Sequence, residues 1–279
     1  MLRFFTKTAI GYNHLQHGKP CQDFSASYHD EERTIVTACD GHGSEVHVRS
    51  ALGSKFAAEA VINVFKKVTR MLFFRTKTEE ANKKLRLEIL CEWNALVERH
   101  LAEHPLSKAE LSTLDEDKVF RLKTDPTVAY GTTLQGAMFF GNKVVCVSLG
   151  DGGCFVVKRG MLYPLFEDVE EEENVANVTC SMCQSDAYKH LHVAVFDAKS
   201  VQGVIVLTDG LINPYRNLGN FAEKFVAPTV TNLLDGNAGV VNEFITRLGA
   251  ELGIGDDVSL GIILRDNRTS ASRVREKQT

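Results

Sequence analysis

The sequence lacks any apolar run that approaches the ~20 residues needed by a membrane-spanning helix. We also expect no secretory signal, because residues 1–7 contain no long apolar stretch and no small-residue cleavage site. The formal net charge of −4 gives no excess of positive charge to attract nucleic acid or an anionic membrane surface. We therefore expect a cytoplasmic protein whose partners include neither nucleic acid nor a membrane.

A disulfide framework is also absent. The seven cysteines are an odd number, and three of them lie in apolar, strand-like runs, so free buried thiols explain them better. One pair, Cys180 and Cys183, has CxxC spacing, with His190 and His192 close behind. A zinc site needs four convergent ligands, and neither a second CxxC nor an HxxxH accompanies this pair. We expect a surface loop here, with a zinc site as the alternative.

What the sequence does contain is ordinary for a folded protein. Its 279 residues are 44% apolar and 24% charged, which suffices for one large domain with a buried core. With no internal repeat and no linker, we expect a single domain over residues 1–279, with a polar tail from about residue 266. The acidic stretch 167–173 predicts a solvated loop; a metal-binding or substrate-repelling lip is the alternative.

Apolar periodicity predicts several strands and helices. The predicted strands span residues 34–39, 132–140, 143–149, 154–158, 161–164, 204–207 and 258–264. One predicted helix has an apolar face formed by Leu52, Phe56, Ala60, Val64 and Val68. The apolar face of a second predicted helix is formed by Leu85, Ile89, Trp93, Leu96, Val97 and Leu101. The apolar face of a third is formed by Val241, Phe244, Ile245, Leu248 and Leu252. Residues 105–126 predict a connecting loop with one short helical turn.

The spacing of the strands indicates how they pair. Gly141-Asn142 joins two predicted strands as a two-residue hairpin link, and the next strands follow with no helix between them. Parallel strands would need long crossover connections, so this pattern favours antiparallel sheets over a doubly wound parallel sheet.

An aspartate beside glycine recurs at the edges of these strands. The four instances are Asp40, Asp151, Asp209 and Asp256. A strand fixes the position of such a carboxylate, while glycine lets backbone or ligand approach closely. Converging carboxylates repel one another unless a divalent cation compensates them, and oxygen ligands select Mg²⁺, Mn²⁺ or Ca²⁺ over zinc. The alternative is that each Asp-Gly is only a turn.

Six short blocks occur in order between about Gly11 and Leu264. They are Gln22-Asp23, Asp40-Gly41-His42-Gly43, Gly131-Thr132-Thr133-Leu134, Gly150-Asp151-Gly152, Thr208-Asp209-Gly210-Leu211 and Gly255-Asp256-Asp257-Val258-Ser259. With these blocks the chain resembles the metal-dependent protein phosphatases of type 2C, in a bacterial-style version. The resemblance implies an α+β fold: a four-layer α-β-β-α sandwich with two central antiparallel sheets flanked by helices.

The resemblance also implies a metal centre of two Mg²⁺ or Mn²⁺ ions. Asp40 should bridge both ions, and Gly41 should offer its carbonyl oxygen to one of them. Asp209 and Asp256 should complete the shell of the first metal. Asp151, with Asp209, matches acids that hold a weaker third ion in some members.

Other residues are expected to support these ligands. Asp23 and Asp257 should lie just behind them, and Gly131-Thr132-Thr133 should pack beside the site. His42 matches the proposed general acid that protonates the leaving alkoxide; a histidine that only orients a carboxylate is the alternative.

Two departures from the family pattern concern charge. Gln22 stands where many members have glutamate, so it can present an oxygen to a metal or its water but no charge. Gly18 occupies the position at which the family usually has an arginine that binds the phosphate. Lys19, His17 and His14 are the candidates to replace that arginine, although none offers a planar guanidinium, and each could be a plain surface residue.

The predicted function is hydrolysis of phosphoserine and phosphothreonine in proteins by a water activated between two metal ions. The partners would be a phosphorylated protein and a cognate kinase or its target, in signalling. One alternative is a catalytically impaired phosphatase-fold module that binds a phosphoprotein or partner. Another is hydrolysis of a non-protein phosphoester at the same site.

Overall fold

The computed structural model describes residues 1–69, 78–166 and 179–266. In these residues two antiparallel five-stranded sheets form, with strand orders β1-β10-β9-β6-β7 and β2-β3-β4-β5-β8. The strands are β1 (Leu2–Ala9), β2 (Phe24–His29), β3 (Arg33–Cys39), β4 (Leu134–Phe140), β5 (Lys143–Leu149), β6 (Gly153–Lys158), β7 (Met161–Pro164), β8 (His192–Asp197), β9 (Gly203–Leu207) and β10 (Val258–Arg265). We call the first order sheet A and the second sheet B.

Helices cover the outer faces of both sheets. They are α1 (Tyr12–Gln16), α2 (Ser50–Lys67), α3 (Thr78–Glu103), α4 (Lys108–Leu111), α5 (Glu116–Thr124), α6 (Ala187–His190), α7 (Asp209–Ile212), α8 (Leu218–Phe221), α9 (Ala227–Asp235) and α10 (Ala238–Arg247). Short 3₁₀ turns lie at Pro126–Tyr130 and Ala198–Ser200, and π-helical turns at Ala222–Val226 and Leu248–Leu252. No helix in the described part of the chain is long and apolar enough to cross a membrane.

Three buried apolar clusters correspond to the contacts between the layers. One joins sheet B to α2 and α3, one joins sheet A to the helices from α7 onward, and the third lies between the sheets. Strand β3 contributes to two of these clusters, because alternate side chains of a strand point to opposite faces of the sheet. Ile35 and Cys39 face the helices, while Val36 and Ala38 face sheet A. The predicted α-β-β-α sandwich is therefore confirmed.

The two long helices are where the sequence places them. In α3 the predicted residues Leu85, Ile89, Trp93 and Val97 are all fully buried. Of the face predicted for α2, Ala60, Val64 and Val68 are buried, whereas Leu52 and Phe56 are only half-buried. Near the start of the helix the buried positions are small residues, because α2 lies close to its neighbours there. A Cβ atom on Gly53 would come within 2.0 Å of the Tyr130 carbonyl oxygen.

Residues 105–126 are not the predicted loop. They contain helices α4 and α5, whose N-cap residues are Ser107 and Asp115; Ser107 forms a capping box with Glu110. Arg49 fixes α4 from outside, since its Nε donates to Glu110 Oε1 at 2.6 Å. Few apolar residues are involved, so the hydrophobic pattern could not reveal these helices.

Three strands, β1, β2 and β8, were not predicted, and each lies at the edge of a sheet. At the end of β10, Arg265 still belongs to the sheet and Asp266 is buried, with Arg3 Nε donating to it at 2.8 Å. The acidic stretch 167–173 and the rest of the predicted tail, 267–279, lie outside the described residues. The single-domain organisation of residues 1–279 stays a prediction.

Candidate metal centre

Three carboxylates from separate strand ends meet at one end of the sandwich. Asp40 follows β3, Asp151 follows β5 and Asp209 follows β9, so both sheets contribute. One oxygen from each lies within 4.8 Å of the others. Asp40 and Asp209 are half-buried, and Asp151 is exposed. In the described part of the chain, no other set of His, Cys, Asp and Glu side chains has this spacing.

Negative charge is concentrated in this cluster, and this favours the protonated forms of its carboxyl groups. Burial, and then the charge of Asp209, raise the pKa of Asp40 to about 7. Burial, followed by the charges of Asp151 and Asp256, raises the pKa of Asp209 to about 6. Since oxygen donors and excess negative charge are what a hard divalent cation requires, these residues fit Mg²⁺ or Mn²⁺.

Asp256 borders this triplet without belonging to it. Its loop packs against Gly210, where a Cβ atom would lie 2.2 Å from the Asp257 carbonyl oxygen and 3.2 Å from Asp256 Cβ. Only glycine permits this approach, and it brings Asp256 beside Asp209. The pKa of Asp256 is raised, mainly by burial and also by the charges of Asp257 and Asp151.

Backbone contacts fix the Asp40-Gly41 turn. The Asp40 carbonyl accepts from Thr132 Oγ1 at 2.7 Å and from the Thr133 amide at 2.8 Å, and the Asp40 amide donates to Thr133 Oγ1 at 3.0 Å. A Cβ atom on Gly41 would meet the Gln22 carbonyl oxygen at 2.6 Å. The block Gly131-Thr132-Thr133 therefore holds Asp40 through its main chain.

Gln22 and Asp23 lie behind the turn. Gln22 Nε2 donates to Ser50 Oγ at 2.6 Å, at the start of α2. Asp23 is 5% exposed; its Oδ2 accepts from Thr208 Oγ1 at 2.7 Å, and its Oδ1 has no hydrogen-bond partner among the described residues. Burial, and then the charge of Asp40, raise the pKa of Asp23 well above its usual range.

Asp257 ties the N-terminal segment to the site. It accepts hydrogen bonds from the Gly11 and Gln22 amides, both at 2.6 Å, and its Oδ2 lies 2.9 Å from His14 Nδ1. His14 is thus engaged with a carboxylate. The other two phosphate-binding candidates, His17 and Lys19, are exposed, and His17 Nδ1 lies 2.7 Å from the Asn13 carbonyl oxygen.

His42 is half-buried beside the acids. Its Nε2 atom is buried and has no hydrogen-bond partner among the described residues. Burial and the neighbouring His47 lower the pKa of His42 to about 4, against the opposing effect of Asp151. The centroids of the His42 and His47 rings lie 5.2 Å apart, and His47 Nδ1 is 2.5 Å from the Val128 carbonyl oxygen.

Two residues that sequence analysis missed hold the acids in place. Asn213 Nδ2 donates to Asp209 Oδ2 at 3.0 Å, and Thr179 Oγ1 donates to Asp151 Oδ2 at 2.7 Å. The first could have been found, because Asn213 lies four residues after Asp209 and so shares a helical face with it. Thr179 carries no sequence signal of this kind.

The CxxC loop also supports the site. Thr132 donates its amide to Ser181 Oγ at 3.0 Å, and Cys183 Sγ lies 3.3 Å from that same oxygen. Cys183 is buried rather than on a surface loop, and burial raises the pKa of its thiol. His190 Nε2 is instead 3.3 Å from Asp186. No cysteine joins a metal-like cluster in the described residues, so zinc has no support here.

Comparisons with known proteins agree with this architecture. A serine/threonine phosphatase from S. agalactiae superposes with a TM-score of 0.56 at 17% identity, over 95% of this chain and 99% of that one. A bacterial serine phosphatase superposes with a TM-score of 0.55 at 16% identity, over 94% of this chain and 96% of that one. A sex determining protein of C. elegans superposes with a TM-score of 0.57 at 14% identity, over 94% of this chain and 64% of that one. At these identities the likeness shows the fold.

Sequence comparison identifies the family. No curated protein sequence gives a significant match. The sequence model of a family described as Protein phosphatase 2C matches residues 10–244, which is most of the chain. The match ends before the Gly255-Asp256-Asp257 block, which the fold nevertheless places beside Asp209. The chain therefore belongs to the protein phosphatase 2C family.

Proposed function

We propose that the chain hydrolyses phosphoserine and phosphothreonine in proteins, with Mg²⁺ or Mn²⁺ held by its acidic cluster. The observation that carries the proposal is the meeting of Asp40, Asp151 and Asp209 within 4.8 Å, from strand ends of both sheets. A binding surface for a partner protein has no need of three converging carboxylates, whereas divalent-ion chemistry depends on them.

Each acid has a distinct part in the proposal. Asp40 would bridge two ions, with the Gly41 carbonyl beside it, while Asp209 and Asp256 would complete one shell. Asp151 lies on the exposed side, where a further ion would bind more weakly. When bound, such ions supply charge neutralisation for the phosphoryl group and an activated water.

His42 would serve the leaving group. Its buried Nε2 atom is free of partners among the described residues, so it can hold a proton at the leaving oxygen. The bound phosphate dianion would raise the pKa of His42 again, because negative charge favours the imidazolium form. The alternative is that His42 orients a neighbouring carboxylate.

The family implies a phosphorylated protein as substrate. We further propose a cognate kinase or its target as partner and a signalling role in the cytoplasm. The runner-up function is a catalytically impaired module that binds a phosphoprotein. Two observations favour it: Gln22 brings no charge to the site, and position 18 is a glycine.

Hydrolysis of p-nitrophenyl phosphate with added Mn²⁺ separates these functions. The proposal predicts turnover that is abolished by a chelator and by Asp209→Asn. The matched control is Asp197→Asn, which changes another aspartate at a strand end, paired with Lys143 at 2.9 Å and outside the cluster. A folded wild-type protein that stays inactive with Mn²⁺, on this ester and on phosphopeptides, would establish the binding module instead. A phosphopeptide panel beside small phosphoesters tests the protein substrate.

A further inference from the structure

A groove opens beside the metal centre, between α5 and the loop before α6. Phe120, Arg121 and Asp125 line one side, and Cys183, Ser185 and Asp186 line the other. Its volume is about 460 Å³, which is enough for two or three amino-acid side chains. The α5 side belongs to the segment 105–126, for which the apolar pattern predicts a loop.

Both sides of the groove are connected to the acidic cluster by short chains of contacts. On one side the Val128 carbonyl is bound to His47, whose ring lies 5.2 Å from that of His42. On the other side Cys183 contacts Ser181, which is bonded to Thr132. A peptide with its phosphorylated residue at the cluster would therefore have neighbouring residues in this groove.

Three side chains in the groove have free hydrogen-bond donors. Among the described residues, the Arg121 guanidinium, the Ser185 hydroxyl and Gln184 Nε2 have no hydrogen-bond or ion-pair partner. The exposed position of Arg121 leaves its planar, bidentate donor face open to a ligand. Unpaired donors can bind an incoming anion without breaking any contact already made.

One oxygen of each aspartate in the groove is already engaged. Asp125 Oδ1 accepts from the Thr127 amide at 3.0 Å and from the Thr127 hydroxyl at 2.5 Å. Asp186 Oδ2 lies 3.3 Å from His190 Nε2. An anionic ligand can reach the donors of Arg121 without displacing a contact made by the described residues.

The charge of Arg121 also reaches towards the site. The pKa of His47 is lowered first by burial, and Arg121 adds to that effect while the Val128 carbonyl opposes it. Arg121 thus lies near enough to His47 to act on it electrostatically.

We propose that this groove, through Arg121, selects phosphoprotein substrates with an anionic group close to the phosphorylated residue. The inference rests on the proposed phosphatase function. The anion would be an aspartate or glutamate carboxylate or a second phosphoryl group, and Phe120, which is 71% exposed at the rim, would cover apolar atoms of the same segment. Arg121 would be a residue that determines specificity.

The test compares four phosphopeptides of one sequence, whose flanking positions carry Glu, phosphoserine, Gln or Lys. We expect kcat/KM to be about 3- to 10-fold higher for at least one anionic peptide than for the Gln peptide. The Glu and phosphoserine arms identify which anion is used. Equal values for all four, or a preference for Lys, would overturn the proposal without any variant being made.

Variants then test the residue. Arg121→Gln should remove the preference, and Arg121→Lys should retain part of it. The control, Lys123→Gln, makes the same charge change on the same helix outside the groove and should keep the wild-type ratio. An equal loss on Glu and Gln peptides in Arg121→Gln would indicate a merely structural role and overturn the proposal.

Two further arms keep the outcomes distinguishable. If the wild-type protein hydrolyses nothing, the phosphatase function fails, and fluorescence anisotropy of the same labelled peptides tests the groove by binding, with the same ratios expected. A preference that emerges only when Glu170–Glu173 are replaced by Gln would show that this chain's own acidic stretch occupies the groove, which would overturn the substrate proposal.

Discussion

Asn213 Nδ2 donates a hydrogen bond to Asp209 Oδ2 at 3.0 Å across one turn of α7. The amide fixes the orientation of a carboxylate that neighbouring negative charges would otherwise push away. Partners of this kind contribute to metal affinity without touching the metal.

Asn213→Ala should therefore weaken Mn²⁺ binding by about 10-fold, since loss of such a partner typically costs ~10–100-fold. Isothermal titration calorimetry measures this independently of turnover. Asn242→Ala, an exposed asparagine on α10, is the control. Unchanged Mn²⁺ affinity in Asn213→Ala would show that this hydrogen bond does not prepare the site.

The stability of the metal-free protein should fall as pH rises. The pKa of Asp40 is about 7 in the folded chain, against an ordinary value of about 4 in the unfolded chain. Between these values the folded chain binds more protons than the unfolded one, so the free energy of unfolding decreases with pH.

Thermal unfolding in chelator should accordingly show a lower Tm at pH 7.5 than at pH 5. Asp40→Asn should raise the Tm at pH 7.5 and change it much less at pH 4. If Asp40→Asn lowers the Tm of the metal-free protein at pH 7.5, the carboxylates do not repel one another as described.

The opposite pH dependence should appear at Glu110. The hydrogen bond from Arg49 is the main cause that lowers the pKa of Glu110 to about 2. The stabilisation is complete above the ordinary pKa of about 4.3 and is lost as pH falls towards 2.

Glu110→Gln should lower the free energy of unfolding by about 1 kcal/mol at pH 7, and by less at pH 3. Urea titrations at both values measure the difference. Glu116→Gln, an exposed acid at the start of α5, is the control with no such pH dependence expected. A constant effect of Glu110→Gln at both pH values would contradict the assignment.

Gln22→Glu should tighten the binding of a second Mn²⁺ ion. The Ser50 hydroxyl, which accepts from Gln22 Nε2, can donate to a glutamate instead, and the glutamate adds the charge that Gln22 lacks. The concentration of Mn²⁺ that gives half-maximal turnover should decrease. Unchanged Mn²⁺ dependence would place Gln22 outside the metal centre.

Sequence patterns predicted the strands that carry the acids and missed three of the four edge strands. Strands β3, β5, β9 and β10 lie inside a sheet, so their apolar runs are nearly continuous. The edge strands β1, β2 and β8 have weaker patterns, because an edge is covered less completely.

Long-range pairings were beyond any local pattern. His14 meets Asp257, which is 243 positions away, so no spacing could show that this candidate for phosphate binding already has a partner. Helices α4 and α5 depend on caps and on Arg49, and the groove with Arg121 depends on those helices. Contacts made only in the folded chain decide these features.

A crystal structure with Mn²⁺, located by anomalous scattering, tests the central claim most directly. The account predicts manganese bound among Asp40, Asp209 and Asp256, with Asp151 facing its exposed side. Manganese absent from this cluster at saturating concentration, or bound only elsewhere, would contradict it.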